Sequence, residues 1–275
     1  MNKQFLVCID SDGCAFDTME IKHKVCFCPA YIQHFGLQAV VEEAREAWDF
    51  ANLYSSTRGI NRFLALLRAL DRLSANKSVC ERVVPPTLPE LRQYVAHGGA
   101  LNNEGLDSYL AQHPESEEIR MILEWSKDVN VRISQKVHGV PPFPNVRESL
   151  EALGEHADIV IVSATPQEAL EREWEEHGLR SLVAAVKGQE SGSKKEIIAS
   201  LMPNYTSGHV LMIGDALGDR DAARANGALF FPICPGEEPE SWAKFDQCMQ
   251  AFLNGTYAGE AEAKNIERLL ELLPQ

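Results

Sequence analysis

The sequence lacks the long apolar runs and the basic charge that mark membrane proteins and nucleic-acid binders. No stretch approaches the ~18 consecutive apolar residues that a membrane span requires. The apolar run at residues 5–9 ends at Asp10, too early for a secretory signal. The chain has 26 basic and 40 acidic side chains, a formal net charge of −14, whereas phosphate backbones attract basic surfaces. We therefore expect a cytoplasmic protein that binds neither membranes nor nucleic acid.

The seven cysteines also lack the even number and regular spacing of a disulfide framework. Cys26 and Cys28 are two residues apart, which fits neither a redox motif nor a zinc knuckle. Reduced thiols are therefore expected, in agreement with a cytoplasmic location. A length of 275 residues, with 45% hydrophobic and 24% charged side chains, indicates a globular protein of one large domain or two unequal ones.

What the sequence does contain is an alternation of short apolar runs and helical patterns. Continuous apolar runs of this length are typical of buried parallel strands, and they occur at 5–9, 159–162, 182–186, 210–213 and 228–231. Helical patterns of crossover length follow at 167–176, 194–201 and 219–226. The alternation predicts an α/β fold with a doubly wound, Rossmann-like parallel sheet.

The first predicted strand is separated from the others by a long stretch without a convincing strand, residues 10–158. Helical patterns within it occur at 31–54, 60–74, 88–95, 106–111 and 116–136. A proline cluster at 140–144 forms a stiff extended segment that suits a domain boundary. We predict a core of residues 1–17 and 140–275 that is interrupted by an all-helical insert, residues 18–139.

Carboxylates follow two of the predicted strands directly. Asp10 and Asp12 come after the first strand, and Asp215 and Asp219 follow the strand at 210–213. Ligands bind beyond the carboxyl ends of strands in open α/β sheets, so neighbouring strands would bring these four side chains together. Crowded carboxylates raise one another's pKa unless a cation compensates, and Mg²⁺ prefers oxygen ligands of this kind. The pattern predicts a Mg²⁺ site.

These motifs resemble, in their order along the chain, the four motifs of the haloacid-dehalogenase-like hydrolase superfamily. The subgroup they resemble is the one with a helical cap, which includes phosphoglycolate phosphatase and β-phosphoglucomutase. The resemblance covers residues 1–20 and about 140–235, and the insert occupies the position of the family's cap. The matching segments are Phe5-Leu-Val-Cys-Ile-Asp-Ser-Asp-Gly13, Ile159-Val-Ile-Val-Ser163, Lys194-Lys195 before Ile197-Ile198, and the run from Gly214 to Gly227.

The resemblance implies hydrolysis of a small phosphorylated metabolite through an aspartyl-phosphate. Asp10 would be the nucleophile and Asp12 the general acid and base. Ser163 would donate a hydrogen bond to the phosphoryl group, and Lys194 would supply positive charge to it and to Asp10. Mg²⁺ would be held by the side chains of Asp10 and Asp215 and by the backbone carbonyl of Asp12, and Asp219 would be a further ligand or would orient the waters of the metal.

The residues that contact the substrate are predicted beside these groups and in the insert. In an acidic protein, an anionic substrate needs local positive charge, which makes Arg58, before the helical pattern at 60–74, a candidate ligand. Ser11, Gly13 and Ala164, which adjoin the motif residues, complete the predicted substrate site.

Several alternatives remain open from the sequence. Lys195 competes with Lys194, and Asp221 with Asp219. Cys14 stands where the family usually has threonine, which indicates either simple packing or altered chemistry. A phosphomutase, a phosphonate hydrolase and a non-catalytic module that binds Mg²⁺ or accepts a phosphoryl group are alternatives to the phosphatase. A haloacid dehalogenase is disfavoured, since it needs neither the second aspartate of the first motif nor a metal.

Overall fold

The computed structural model describes residues 3–275 of the chain. Within this range, five strands form one parallel sheet in the order β3-β2-β1-β4-β5. The α/β fold predicted from the sequence is confirmed. The strands are β1 (Phe5–Ile9), β2 (Ala157–Val162), β3 (Ala185–Lys187), β4 (Val210–Gly214) and β5 (Leu229–Pro232).

β1 occupies the centre of the sheet, although it is the first strand in the sequence. Ile9 pairs with Ile161 of β2 on one side and with Ile213 of β4 on the other. The amide of Asp10 donates to the Ile213 carbonyl (3.0 Å) and so continues this register past the last residue of β1. The residues that follow β1, β2 and β4 therefore meet at one edge of the sheet.

The edge strand β3 is shorter than predicted and is shifted along the chain. The sequence predicted a strand at 182–186, but Arg180–Leu182 forms a turn of 3₁₀-helix and the strand spans Ala185–Lys187. The prediction was wrong at its start because a short apolar run does not by itself distinguish a strand from a buried turn.

The chain divides into two compact units. The α/β unit comprises residues 3–19, 55–58 and 138–275, and the helical unit comprises residues 20–54 and 59–137. The predicted insert, 18–139, includes residues 55–58, which the structure groups with the α/β unit.

The first eight α-helices belong to the helical unit, except that α1 begins with the last residue of the preceding α/β segment. The predicted helix at 31–54 is wrong: it is interrupted near Gly36, whose φ of +69° is left-handed and ends a helix. A π-helix (Lys22–Phe27) precedes α2, and a 3₁₀ turn (Gln38–Val40) precedes α3. The helices are α1 (Met19–Ile21), α2 (Cys28–His34), α3 (Val41–Asn52), α4 (Arg62–Ser74), α5 (Lys77–Cys80), α6 (Pro89–Ala96), α7 (Asn103–Gln112) and α8 (Glu117–Lys136).

Six further helices cover the two faces of the sheet. On β1, Val7 faces the apolar cluster that includes α9, α10 and α13, and Leu6 faces the cluster that includes α11, α12 and α14. A doubly wound sheet requires this alternation, since both faces of its central strand are buried. The helices are α9 (Val146–Gly154), α10 (Gln167–Glu176), α11 (Lys194–Leu201), α12 (Leu217–Ala225), α13 (Glu238–Leu253) and α14 (Glu260–Leu272).

Two 3₁₀ turns complete the α/β unit, Gln189–Ser191 before α11 and Met202–Asn204 after it. Across residues 3–275, none of the helices combines the length and the apolar character that crossing a bilayer would require.

Candidate active site

Three buried carboxylates meet at the edge of the sheet where β1 and β4 end. Asp10, Asp215 and Asp219 are 6%, 2% and 1% exposed, and one oxygen from each lies within 4.8 Å of the others. Asp10 and Asp215 are the first residues past their strands, and Asp219 lies in the first turn of α12. The structure thus brings together the three side chains that the sequence predicted as metal ligands.

Two glycines make this close approach of backbone and side chains possible. Gly13 has a φ of +75°, and a Cβ at this position would lie 2.5 Å from Asp215 Oδ2 and 2.6 Å from an Arg58 nitrogen. A Cβ on Gly214 would overlap the carboxylate of Asp219. Any other residue would displace a carboxylate at either position, which explains why both aspartate motifs contain glycine.

Lys194 joins two of the carboxylates. Its Nζ lies 2.7 Å from Asp10 Oδ2 and 2.5 Å from Asp219 Oδ1. Lys194 is the first residue of α11, whose N-terminus is fixed by a capping box of Ser193 and Glu196. The neighbouring Lys195 is exposed, so Lys194 is the lysine of this pair that reaches the cluster.

Arg58 forms a second buried ion pair with the cluster. Its Nε donates to Asp215 Oδ2 at 2.6 Å, and the two side chains are only 3% and 2% exposed. The residue lies in a turn of the α/β unit, in which the Arg58 amide donates to the Ser55 carbonyl and the Ser56 amide to the Pro274 carbonyl. The helix that the sequence predicted from residue 60 begins at Arg62, after this turn.

Burial dominates the electrostatics of the cluster. It raises the pKa of Asp10 well above its ordinary value; Lys194 opposes this rise, and Asp219 and Asp215 add to it. Burial also raises the pKa of Asp215, against the effect of Arg58 and with that of Asp219. For Lys194, burial lowers the pKa, but the charges of Asp10 and Asp219 outweigh this effect and the pKa rises. The carboxylates therefore repel one another strongly when they are all ionised.

The donor set fits a hard divalent cation. All three side chains offer carboxylate oxygen, and their mutual separation of at most 4.8 Å is within reach of a single ion. Mg²⁺ takes oxygen ligands at about 2.0–2.1 Å, so two ligands on opposite sides of it lie about 4 Å apart. Asp10, Asp215 and Asp219 are the side chains in the described part of the chain that could hold Mg²⁺.

The carboxylate of Asp12 points to hydroxyl groups instead of joining the cluster. Thr18 Oγ1 donates to Asp12 Oδ1, and Thr165 Oγ1 donates to Asp12 Oδ2 at 2.7 Å. The predicted contribution of Asp12 to a metal is through its backbone carbonyl, so this side-chain arrangement leaves that prediction untested. Hydroxyl donors at both oxygens fix the orientation of the carboxylate.

Ser163 lies at the carboxyl end of β2, beside β1. Its amide donates to the Lys187 carbonyl (3.0 Å), and its Oγ accepts from the Thr165 amide (3.2 Å). Since the hydroxyl acts here as an acceptor, its own proton remains able to bind a phosphoryl oxygen. The neighbouring Ala164 is exposed.

Ser11 and Gly13 use their amides within the chain. The Ser11 amide donates to Asp10 Oδ1 (2.8 Å), and the Gly13 amide donates to the Phe16 carbonyl (2.8 Å). The Ser11 hydroxyl donates to Glu173 Oε2 (3.1 Å) and accepts from Trp174 Nε1 (3.0 Å). Their predicted contact with substrate is not tested, and the observed role of both residues is to shape the loop after β1.

Two alternatives that the sequence left open concern residues next to the cluster: Asp219 or Asp221, and the role of Cys14. Asp219 is buried in it, whereas the side chain of Asp221 is 63% exposed and pairs with Arg220. Cys14 is fully buried, and burial, followed by the nearby carboxylates, raises the pKa of its thiol well above the ordinary value. A buried thiol behaves as a small apolar group, which favours packing as the role of Cys14.

Sequence reasoning missed three residues that support the first motif: Thr18, Thr165 and Glu173. Thr18 lies beyond the turn that follows β1, and Thr165 lies two residues after Ser163. A hydroxyl residue shortly after a strand-end motif was the available signal. Glu173 lies on α10, and nothing in its local sequence indicates that it reaches Ser11.

Comparison with known proteins gives a consistent family. The family model for haloacid dehalogenase-like hydrolases matches residues 74–232, which is more than half of the chain. The match includes Ser163, Lys194, Asp215 and Asp219 but begins after the motif of Asp10. No curated protein matches the sequence significantly.

Solved structures share the fold at low sequence identity. A predicted phosphoglycolate phosphatase from Haemophilus somnus has a TM-score of 0.53 and 13% identity, over 91% of this chain and 100% of the other. A structure from Lactobacillus delbrueckii subsp. bulgaricus with the same kind of description has a TM-score of 0.52 and 18% identity, over 83% and 85% of the two chains. A haloacid dehalogenase-like family protein from Streptococcus pneumoniae has a TM-score of 0.50 and 12% identity, over 88% and 92%. With its Rossmann-like core, its aspartate cluster and the family match, this chain belongs to the haloacid dehalogenase-like hydrolases.

Proposed function

We propose that the chain is a Mg²⁺-dependent phosphatase that hydrolyses a small phosphorylated metabolite through an aspartyl-phosphate. The observation that carries this proposal is the cluster of Asp10, Asp215 and Asp219 with Lys194 bound to two of its members. A nucleophilic carboxylate, a cation and a set of oxygen ligands at one strand edge are the parts that phosphoryl transfer from an ester requires.

Asp10 is the proposed nucleophile. It directly follows the central strand, and its amide donates to the Ile213 carbonyl (3.0 Å), which gives its carboxylate a defined direction of attack. Lys194, 2.7 Å away, favours the ionised carboxylate and so opposes the rise in the pKa of Asp10 that burial causes. When bound, Mg²⁺ would neutralise charge between this carboxylate and the phosphoryl group, held by Asp10, Asp215, Asp219 and the Asp12 carbonyl.

Asp12 is the proposed general acid and base. It would protonate the leaving oxygen of the ester and later remove a proton from the water that hydrolyses the aspartyl-phosphate. Thr18 and Thr165 hold both of its oxygens, so they would set its orientation for these proton transfers. Ser163 would donate its free hydroxyl proton to a phosphoryl oxygen.

The rest of the substrate is proposed to be read by Arg58, by the backbone around Ser11, Gly13 and Ala164, and by the helical unit acting as a cap. Arg58 offers a planar guanidinium suited to an anionic group. All seven cysteines are free thiols, which supports the predicted cytoplasmic location.

The alternative functions differ from a phosphatase in the residues that they require or in the reaction that they carry out. A phosphonate hydrolase needs a reactive lysine in the insert, but hydrogen bonds with Glu20 and Tyr54 raise the pKa of Lys24, opposite to what a Schiff-base lysine requires. A phosphomutase uses the same chemistry and differs in transferring the phosphoryl group to a second substrate. A non-catalytic module would not release phosphate.

Release of phosphate from p-nitrophenyl phosphate, with Mg²⁺ and with EDTA, tests the proposal. Wild type should be active with Mg²⁺ and inactive in EDTA, and a panel of phosphorylated metabolites should then identify the substrate class. Asp10→Asn should reduce kcat by about 10³-fold or more, because the amide keeps the shape but not the nucleophilic charge.

Asp221→Asn is the matched control, because this exposed carboxylate lies on α12 only two residues after Asp219 but outside the cluster. Its activity should remain near that of wild type, and circular dichroism should show that both variants are folded. Full release of phosphate in EDTA would overturn the proposed requirement for Mg²⁺. Absence of phosphate release from every ester would favour the non-catalytic module.

A further inference from the structure

We propose that Arg58 is a resident counter-cation of Asp215, which the divalent ion must displace when it binds. This inference rests on the proposed function, because it assumes that the ion binds at Asp10, Asp215 and Asp219. It adds a regulatory step: loading of the ion and release of the Arg58 side chain become one exchange.

The first support is the position of the guanidinium. Nε of Arg58 lies 2.6 Å from Asp215 Oδ2, one of the oxygens available to an ion, and both side chains are almost completely buried. The guanidinium also lies against the backbone of Gly13, where even a methyl group would collide with it. An oxygen that already accepts a charge-assisted hydrogen bond from a buried cation binds a second cation less well.

The second support is the charge balance. Asp10, Asp215 and Asp219 carry three negative charges when ionised, and Lys194 and Arg58, which are bonded to them, carry two positive charges. Asp12 is left out of this count, since its half-buried carboxylate accepts from hydroxyl groups and is not a member of the cluster. The cluster with both side-chain cations is then left with one negative charge. A divalent ion added to this arrangement would give one positive charge, whereas the ion with Lys194 alone would neutralise the three carboxylates. Buried charge is costly, so the neutral arrangement is favoured.

The third support is that Arg58 has a second acidic group within electrostatic reach. Burial raises the pKa of Glu238, at the start of α13, and Arg58 lowers it, which shows that the two charges interact. The negative charge of Asp17 also raises the pKa of Glu238. A guanidinium that leaves Asp215 therefore stays near acidic groups of the same unit, and the anion of a substrate would be a further partner for it.

Titration calorimetry with Mg²⁺ alone, without substrate, tests the exchange. Arg58→Met should bind Mg²⁺ about tenfold or more tightly than wild type, because the competing charge is removed. Arg58→Lys, which keeps a charge but loses the planar fork, should fall between the two. Arg220→Met is the matched control: Arg220 is next to Asp219 in the sequence but pairs with Asp221, and its loss should leave the affinity within about twofold.

The side chain itself can be followed by NMR of the arginine Nε–H groups, with the Arg58 signal assigned by its absence in Arg58→Lys. This signal should shift on addition of Mg²⁺ with the midpoint found by calorimetry. Equal affinity in wild type and Arg58→Met, weaker affinity in Arg58→Met, or an unchanged signal at saturation would each overturn the exchange and leave the phosphatase proposal intact. Absence of Mg²⁺ binding in all four proteins would remove the proposed metal site and the exchange with it.

Discussion

The α/β unit and the helical unit each contain an arginine with a well-defined set of partners, and the two residues are only four positions apart. Arg58 of the α/β unit is bonded to the carboxylate of Asp215. Arg62 of the helical unit donates from Nη1 to the carbonyl (3.2 Å) and hydroxyl (3.0 Å) of Ser126 and to Asn130 Oδ1 (2.8 Å). The Arg58 guanidinium is paired with a carboxylate, whereas the Arg62 guanidinium donates to neutral oxygens.

The difference teaches how to separate a functional cation from a structural one. The Arg62 guanidinium lies 5.0 Å from the centre of the Phe27 ring, and burial lowers its pKa to about 10. Neutral oxygens and an aromatic face hold a cation in place without offering it a charge to exchange. A carboxylate that belongs to a metal-ligand set can exchange one cation for another, as proposed for Arg58.

Lys194 is a third cationic side chain to set beside Arg58 and Arg62. Of the three, its replacement should cause the largest loss of catalytic rate. Lys194→Met should reduce kcat for p-nitrophenyl phosphate by about 10²–10³-fold, because the methionine removes the charge that stabilises Asp10 and the phosphoryl group. Steady-state kinetics at saturating Mg²⁺ would measure this loss.

Lys195→Met is the control for that variant, because this exposed lysine is the second residue of α11, next to Lys194, but does not reach the cluster. Its kcat should stay within about twofold of wild type. Similar losses in both variants would show that the charge acts through the general field of the helix and that the contact with Asp10 is unimportant.

Replacing Arg62 should lower the stability of the fold without changing the catalytic rate. Arg62→Met leaves the oxygens of Ser126 and Asn130 without their donor, which should lower the free energy of unfolding by about 2–3 kcal/mol. Urea denaturation would measure it, with Arg68→Met, an exposed position on the same helix, as the control. A Mg²⁺ affinity that rises in Arg62→Met as in Arg58→Met would erase the distinction between the two arginines.

The smallest expected effect is a dependence of stability on pH in EDTA. The pKa values of Asp10 and Asp215 are raised in the folded state, so the folded protein binds protons more readily than the unfolded chain. The resulting destabilisation is absent below the unfolded pKa of about 3.9 and complete above the raised pKa values.

Asp10→Asn removes one of the repelling charges and should be more stable than wild type in EDTA by about 1 kcal/mol, or about 2–4 °C in Tm, at about pH 8. This advantage should shrink as the pH falls towards the unfolded pKa of about 3.9, because Asp10 of the folded wild type takes up a proton over that range. Differential scanning calorimetry would measure both values. An advantage that grows towards low pH would mean that the pKa of Asp10 is lowered in the folded protein.

The sequence was most informative where a motif and a strand coincide. The predictions for β1, α10 and α11 agree with the structure, because buried strands and capped helices have local signatures. The meeting of Asp10 and Asp215 was also predictable, since strand ends that carry carboxylates meet if the strands are neighbours. The exposure of Lys195 and Asp221 was not predictable from the sequence, because the direction of a side chain depends on packing.

The sequence was least informative in and around the helical unit. The break at Gly36 was overlooked because a helical pattern continues on both sides of it. Arg58 was predicted from its charge as a substrate ligand, but its partner, Asp215, is 157 residues away, and no local pattern indicates such a pair. Long-range contacts between charged groups are set by the tertiary fold and leave no periodicity in the sequence.

The central position of β1 has a consequence for how the protein is made. β1 leaves the ribosome before its partners in the sheet, which begin at Ala157 and Val210, so both of its edges stay unpaired until those strands are made. Such non-local pairing is slow to form and leaves hydrophobic strand edges exposed in the meantime. Asp10, which follows this strand, meets Asp219 only after α12 has emerged, and a nascent or truncated chain that ends before that helix contains Asp10 but not the assembled carboxylate cluster.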